Sequence, residues 1–163
     1  MAYCSNPYFC IHILTNQTIK MIQFLHSYWA YLVLIVLVLA TVNALIKFFG
    51  DKEFDAKDFR ISLFALITMH IQLLLGIILF FTKDYFTTIE QVGGMGAVMK
   101  DSVLRSNIIE HPLTMIIAVV LITIGYSKHK KKLTSRPKFK MLAIFYTLAL
   151  VLVLAKIPWN TWF

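Results

Sequence analysis

Four long apolar runs divide the sequence, and each is about as long as a helix that crosses a bilayer. They cover residues 28–49, 61–81, 108–126 and 141–159. A helix that rises ~1.5 Å per residue needs roughly 20 residues to cross about 30 Å of hydrocarbon. Transmembrane strands would be about half as long and would alternate polar with apolar residues, which these runs do not do. We therefore predict an all-α protein, an integral membrane four-helix bundle forming a single domain over residues 21–163.

The composition agrees with an apolar solvent around the folded chain. Hydrophobic residues make up 59% of the sequence and charged residues only 15%. An ordinary soluble domain is roughly half apolar and about a quarter charged. A chain of 163 residues has too little interior to bury such an excess. These values exclude a disordered chain, a soluble nucleic-acid-binding domain and most soluble enzyme folds of this size.

The positive charges are divided unequally between the two sides of the predicted bundle. The side of loops 50–60 and 127–140 carries eleven Lys and Arg residues: Lys47, Lys52, Lys57, Arg60, Lys128, Lys130, Lys131, Lys132, Arg136, Lys138 and Lys140. The side of both termini carries five: Lys20, Lys83, Lys100, Arg105 and Lys156. Because cytoplasmic loops are enriched in Lys and Arg, we predict that loops 50–60 and 127–140 are cytoplasmic and both termini lie outside the plasma (inner) membrane.

The first twenty residues do not resemble a signal peptide, because they lack a basic start and a continuous apolar stretch. Met21 directly precedes the first span, so we expect that residues 1–20 are an N-terminal extension and that translation starts at Met21. Cys4, Cys10 and His12 lie in this segment, and their spacing matches no standard zinc site.

Three histidines, His26, His70 and His111, lie in or beside the spans. Ionisable residues in membrane helices are costly and mark functional sites, and histidine commonly binds haem iron. His26 and His111 are both expected near the outer surface, whereas His70 lies roughly 16 Å below the outer end of the second span at ~1.5 Å per residue. His26 and His111 share faces with small residues, which are typical of helix contacts. At 100° per residue, His70 faces about 140° away from the face that contains Gln72.

Residues around the third span add three expectations. Pro112 is tolerated in the first turn of a helix, so it predicts that this helix starts at residues 110–112. Glu110 is expected to pair with Arg105 or with a histidine, and Met115 to fill core space. The preceding loop is long for a simple connection, so we expect it to fold over the outer helix ends.

Four segments carry a family resemblance: LHSYWAYLVL, MHIQLLLGIILFF, EHPLTMIIAVVLITIGYSKHKK and KIPW. Together they resemble the small four-helix membrane proteins labelled cytochrome b or cytochrome b-like. The resemblance covers nearly all of residues 21–159 and implies haem b, electron transfer and His26, His70 and His111 as the cofactor-binding residues. It implies His70 and His111 as iron ligands, with the choice of pair open because their predicted depths differ. Diheme cytochromes b carry two pairs of histidines, so three candidates allow at most one bis-histidine haem.

Three functions remain open. The first is an electron carrier that takes electrons from a quinol and passes them to a redox partner. The second is a non-catalytic membrane subunit or assembly factor without a cofactor, which associates with itself or with other chains. The third is a small transporter or a metal or proton carrier, although no inverted repeat is visible. The lipid bilayer is a partner in all three, and nucleic acid in none.

Overall fold

The computed structural model describes residues 7–157 and 159, with side chains from residue 16 onward. Its helices are α1 (Pro7–Phe49), α2 (Ala56–Thr82), α3 (Tyr85–Gln91), α4 (Met95–Lys100), α5 (Ser102–Arg105), α6 (His111–Lys130) and α7 (Ser135–Lys156), with a π-helical turn (Ser106–Glu110) before α6. This part of the chain contains no strand, so the all-α prediction is confirmed. The side chains of Cys4, Cys10 and His12 lie outside the described residues.

Four of the helical segments are long and apolar enough to cross a membrane: Asn16–Phe49, Ala56–Thr82, Ser102–Lys130 and Ser135–Lys156. Each of these segments contains one predicted span completely, except that the last three residues of the fourth span, 157–159, lie beyond the end of the fourth segment. That helix ends at Lys156, and Ile157 is extended because the residue before a proline disfavours the α conformation. The chain is therefore a multi-pass membrane protein whose outward apolar side chains contact lipid.

The four spanning helices form a ring in which each contacts two neighbours. α1 packs against α2 and α7, and α6 packs against the same two helices. α1 and α6 are therefore diagonal to each other, as are α2 and α7. We call the end where α1 and α6 begin the terminal end. We call the end with the connections 50–55 and 131–134 the short-loop end.

The small-residue faces predicted from the sequence form the core. Val33, Leu37, Ala40 and Ala44 of α1 are buried against the other helices, as are Ala118 and Ile122 of α6. Gly125 lets α6 approach α7 closely, because a Cβ atom placed there would lie 2.6 Å from the Cβ atom of Phe145. Small residues at such contacts allow close packing where lipid offers no hydrophobic driving force between helices.

A buried carboxylate joins α1 to α2 at the short-loop end. Asp58 is only 2% exposed and accepts hydrogen bonds from Lys47 Nζ at 2.7 Å and Asn43 Nδ2 at 2.8 Å. Asp55 caps α2, and the backbone N–H groups of Asp58 and Lys57 that donate to its side chain hold the pKa of that carboxyl below its usual value. Lys47 thus has a structural partner in addition to its contribution to the charge asymmetry.

The long connection between the second and third spans is folded. It contains α3, α4, α5 and the π-helical turn, and Val98 and Ile108 are buried. Asp101 caps α5 by accepting from the backbone N–H groups of Val103 and Leu104. Pro112 lies in the first turn of α6, so the predicted start at residues 110–112 is confirmed for α6, although α5 and the π-helical turn precede it without a break. It lies one residue after the point where the π-helical turn becomes α6. A proline has no N–H to donate and its ring crowds the preceding turn, which the wider π turn accommodates.

Candidate functional site

The terminal end of the bundle brings two of the three histidines together. The rings of His26 on α1 and His111 on α6 have centroids 6.4 Å apart and planes inclined at 78°. They come from diagonal helices, so they meet across the middle of the ring of helices. This agrees with the equal depths expected from the sequence.

His111 is oriented by the end of α7. Its Nδ1 atom lies 2.9 Å from the carbonyl oxygen of Lys156. A carbonyl only accepts, so Nδ1 carries the hydrogen and Nε2 keeps its lone pair. Lys156 can offer this oxygen because the last carbonyl groups of a helix have no partner within the helix. A histidine held in this way presents Nε2 as a ligand.

A charged cluster fixes the start of α6 against the end of α7. Glu110 accepts from Arg105 Nε at 2.9 Å through one oxygen and from Lys156 Nζ at 2.8 Å through the other. Arg105 also donates to the carbonyl oxygen of Met99 at 2.8 Å, which ties α4 to the same cluster. The predicted pairing of Glu110 with Arg105 is confirmed. The pairing with Lys156 was not predicted, because only the fold brings the end of α7 here.

His26 rests against α2. Gln72 Nε2 lies 3.3 Å and 3.4 Å from the two ring nitrogens of His26 and donates to its backbone carbonyl oxygen at 3.1 Å. Gly76 makes room for the ring, because a Cβ atom there would lie 3.2 Å from Cε1 of His26. Gln72 Oε1 is buried without a hydrogen-bond partner in the described part of the chain. The sequence showed Gln72 and Gly76 on one small polar face but not that His26 packs on it.

His70 lies apart from this pair. Its Nδ1 atom donates to the carbonyl oxygen of Leu66 at 2.8 Å, and its Nε2 atom lies 3.5 Å from Thr123 Oγ1. Thr123 is twelve residues after His111 on α6, which is about 18 Å along the helix axis at ~1.5 Å per residue. His70 therefore faces α6 while Gln72 faces α1, as the helical angles predicted. His70 and His111 are therefore much farther apart than two histidines that bind the same iron would be.

A fourth histidine, His129, lies within the predicted loop 127–140 but is buried in the structure. It is only 1% exposed, on the last turn of α6, and its ring lies 4.9 Å from that of Tyr126 and 5.6 Å from that of Phe54. Its position is four residues after Gly125 and seven after Ile122, so helical periodicity extended past residue 126 would have placed it on the buried face. The lysines around His129 in the sequence instead indicate an exposed loop.

No protein-family model, curated protein or solved structure matches the chain. Among the residues with described side chains, no group of three or more His, Cys, Asp or Glu residues is placed to hold a metal ion. A haem b iron takes only two axial ligands from the protein. His26 and His111 fit that donor set, because both are imidazoles from opposite sides of the bundle and Nε2 of His111 keeps its lone pair.

Proposed function

We propose that the protein is an electron carrier of the plasma (inner) membrane that holds one haem b between His26 and His111. The observation that supports this is the 6.4 Å separation of the two ring centroids across the bundle. Two imidazole rings bound through nitrogen to opposite faces of one iron have centroids about 6 Å apart, given iron–nitrogen bonds of about 2 Å. Within the described residues, no other two histidine rings lie in contact.

The haem, when bound, supplies reversible one-electron chemistry at its iron. With His26 and His111 as its protein ligands, the iron would have no open position for oxygen or a substrate, so the proposed role is electron transfer. The chain's own residues orient the ligands. The carbonyl oxygen of Lys156 holds the hydrogen of His111 on Nδ1, and Glu110 keeps the beginning of α6 beside the end of α7. Gly76 leaves space beside the ring of His26.

A quinol is the proposed electron donor, and His70 supports this choice. The Nδ1 atom of His70 donates to the carbonyl oxygen of Leu66, so its Nε2 atom is a hydrogen-bond acceptor. The hydroxyl of Thr123 donates its hydrogen to the carbonyl oxygen of Val119 at 2.7 Å. The contact between Thr123 Oγ1 and Nε2 of His70, at 3.5 Å, is therefore weak, and Nε2 can accept from a stronger donor that reaches it from the hydrocarbon. Neighbouring side chains on α2, Ile67 and Leu74, are exposed and face lipid. A quinol hydroxyl is such a donor.

The charge distribution supports an orientation with both termini outside. The short-loop end carries Lys52, Lys57 and Arg60 beside α2 and the cluster from Lys128 to Lys140 around the other connection. Cytoplasmic loops carry the excess of Lys and Arg. The proposed haem site then lies near the outer surface, where a partner outside the membrane can accept electrons. Cysteine accessibility labelling of single-cysteine variants at residues 52 and 131 in intact cells tests this orientation.

Purification from native-host membranes, followed by a reduced-minus-oxidised spectrum and a pyridine haemochrome assay, tests the proposal. We expect one haem b per chain, and its loss in His26→Ala and in His111→Ala. His70→Ala is the matched control, because it removes a histidine of the same bundle and should keep the haem spectrum. Native protein without haem would refute the proposal. Loss of haem in His70→Ala with retention in His26→Ala would refute the ligand pair.

One observation favours a second candidate, a membrane subunit or assembly factor without a cofactor. Both histidines already have polar partners inside the bundle, Gln72 for His26 and the carbonyl oxygen of Lys156 for His111. Such contacts also occur where a histidine only joins two helices. Haem-free native protein that purifies with a stoichiometric partner chain would establish this function instead.

A further inference from the structure

An apolar groove runs along the outside of the bundle between α1 and α2, far from the paired histidines. Its volume is about 490 Å³, and it is lined by Asn43 and by six apolar residues: Val36, Leu39, Val42, Ile46, Ile61 and Phe64. Leu39, Val42, Ile46 and Phe64 are all exposed, so the groove opens towards the lipid. From Val36 to Ile46 it extends about 15 Å along α1 at ~1.5 Å per residue. That length equals one leaflet of a hydrocarbon core about 30 Å thick.

Two cations lie at the short-loop end of this groove. Lys57 and Arg60 come one helical turn before Ile61 and Phe64 on α2, so they continue the same face of the helix. Both are exposed, and neither makes an ion pair with any described carboxylate. Two other cations at this end do have such partners, since Lys47 binds Asp58 and Arg136 lies 3.6 Å from Asp51. Lys57 and Arg60 are therefore available for an anion at the level of the lipid headgroups.

We infer that the groove and these two cations form a binding site for one anionic phospholipid of the leaflet at the short-loop end. An acyl chain lies along the groove, and the phosphate contacts Lys57 and Arg60. Basic residues at the end of a cleft between transmembrane helices suit anionic headgroups, and each Lys or Arg near the membrane surface contributes roughly 1 kcal/mol. A zwitterionic lipid brings its own cation and gains less. The site is independent of the haem proposal, because no residue is shared.

The test is native mass spectrometry of the purified protein in detergent, titrated with phosphatidylglycerol or with phosphatidylcholine of the same acyl chains. We expect tighter binding of phosphatidylglycerol. The double variant Lys57→Gln/Arg60→Gln should weaken it by about 30-fold, since two charges correspond to about 2 kcal/mol and 1.4 kcal/mol to tenfold. The control Lys131→Gln/Lys132→Gln removes the same charge from an exposed turn at the same end, and should change the affinity by about twofold or less.

A second pair of variants tests the groove itself. Val42→Trp fills the groove and should weaken binding of both lipids. Leu74→Trp adds the same bulk at a lipid-exposed position on α2 outside the groove, and should leave binding unchanged. Equal affinity for the two lipids, or equal losses in the two charge variants, would overturn the inference. A dimer without bound lipid that Val42→Trp dissociates would also overturn it, because a second copy would then cover the groove.

Discussion

At Gly125, α6 and α7 approach each other so closely that any larger residue would clash with α7. A Cβ atom at this position would lie 2.6 Å from Cβ and 3.3 Å from Cγ of Phe145, and 3.6 Å from the carbonyl oxygen of Met141. Carbon atoms in contact are normally about 3.5–4.0 Å apart. Cβ of Phe145 cannot rotate away, because it is attached directly to the backbone. Gly125→Ala therefore requires α6 and α7 to separate by about 1 Å at this point.

Two opposing effects set the size of the change. Overpacking typically costs about 1–3 kcal/mol, whereas alanine in a helix interior is favoured over glycine by about 0.8–1 kcal/mol. We expect the steric effect to win, because the contact is about 1 Å too short and both helices are held by packing along their length. With overpacking in the upper part of its range, about 2–3 kcal/mol, the free energy of unfolding should fall by about 1–2 kcal/mol, which is roughly a 5- to 30-fold change in the unfolding equilibrium.

Reversible unfolding by SDS in mixed micelles, followed by circular dichroism, measures this change. The matched control is Gly96→Ala in α4, where an added Cβ atom meets nothing within 4 Å, and it should cause no loss of stability. Phe145→Ala keeps Cβ, so Gly125→Ala should remain destabilising in that background. If Gly125→Ala proved as harmless as Gly96→Ala, the close approach of α6 and α7 would be wrong.

The same unfolding assay tests the buried ion pair. Asp58→Leu should cost about 3 kcal/mol because it leaves Lys47 only the exposed Asp55 at 3.5 Å and removes the acceptor of Asn43, and Lys47→Met/Asp58→Leu should return to within about 1 kcal/mol of the native chain. Asp51→Asn, in an exposed pair, should cost less than about 0.5 kcal/mol, and equal losses for Asp51→Asn and Asp58→Leu would contradict this account. Gly76→Val should push the ring of His26 away from α2 and shift its imidazole NMR resonances, while those of His70 stay in place. Unchanged His26 resonances would show that the ring does not rest on Gly76.

Much of the site could be anticipated because helices impose regular spacing on depth and direction. Counting residues from the end of each span placed His26 level with His111, and counting 100° per residue turned His70 away from Gln72. The acidic residue beside His111 and a nearby arginine predicted the pair between Glu110 and Arg105. These are local relations, or relations to the membrane plane, which every span shares.

Relations between distant helices could not be anticipated in the same way. From the sequence, Lys47 is only one of the positive charges on its side of the membrane, and Gln72 only marks one face of α2. The fold brings Asp58 to Lys47 and His26 to Gln72. Lys156 contributes a backbone oxygen to His111, and no side-chain pattern signals a carbonyl at a helix end. His129 lies among lysines in the sequence, and the rings of Phe54 and Tyr126 enclose it in the structure.

The sequence alone therefore determined that this chain forms four membrane-spanning helices, that His26 lies level with His111 and that His70 faces away from Gln72. Length and hydropathy decide these properties, and both are sums over neighbouring residues. Only the tertiary structure decided which histidines meet. That choice depends on the order of the helices around the ring and on how closely they approach. How closely two helices approach depends on the space at positions such as Gly76 and Gly125, where a few tenths of an ångström decide whether a side chain fits. The atoms that meet there belong to residues far apart in the chain.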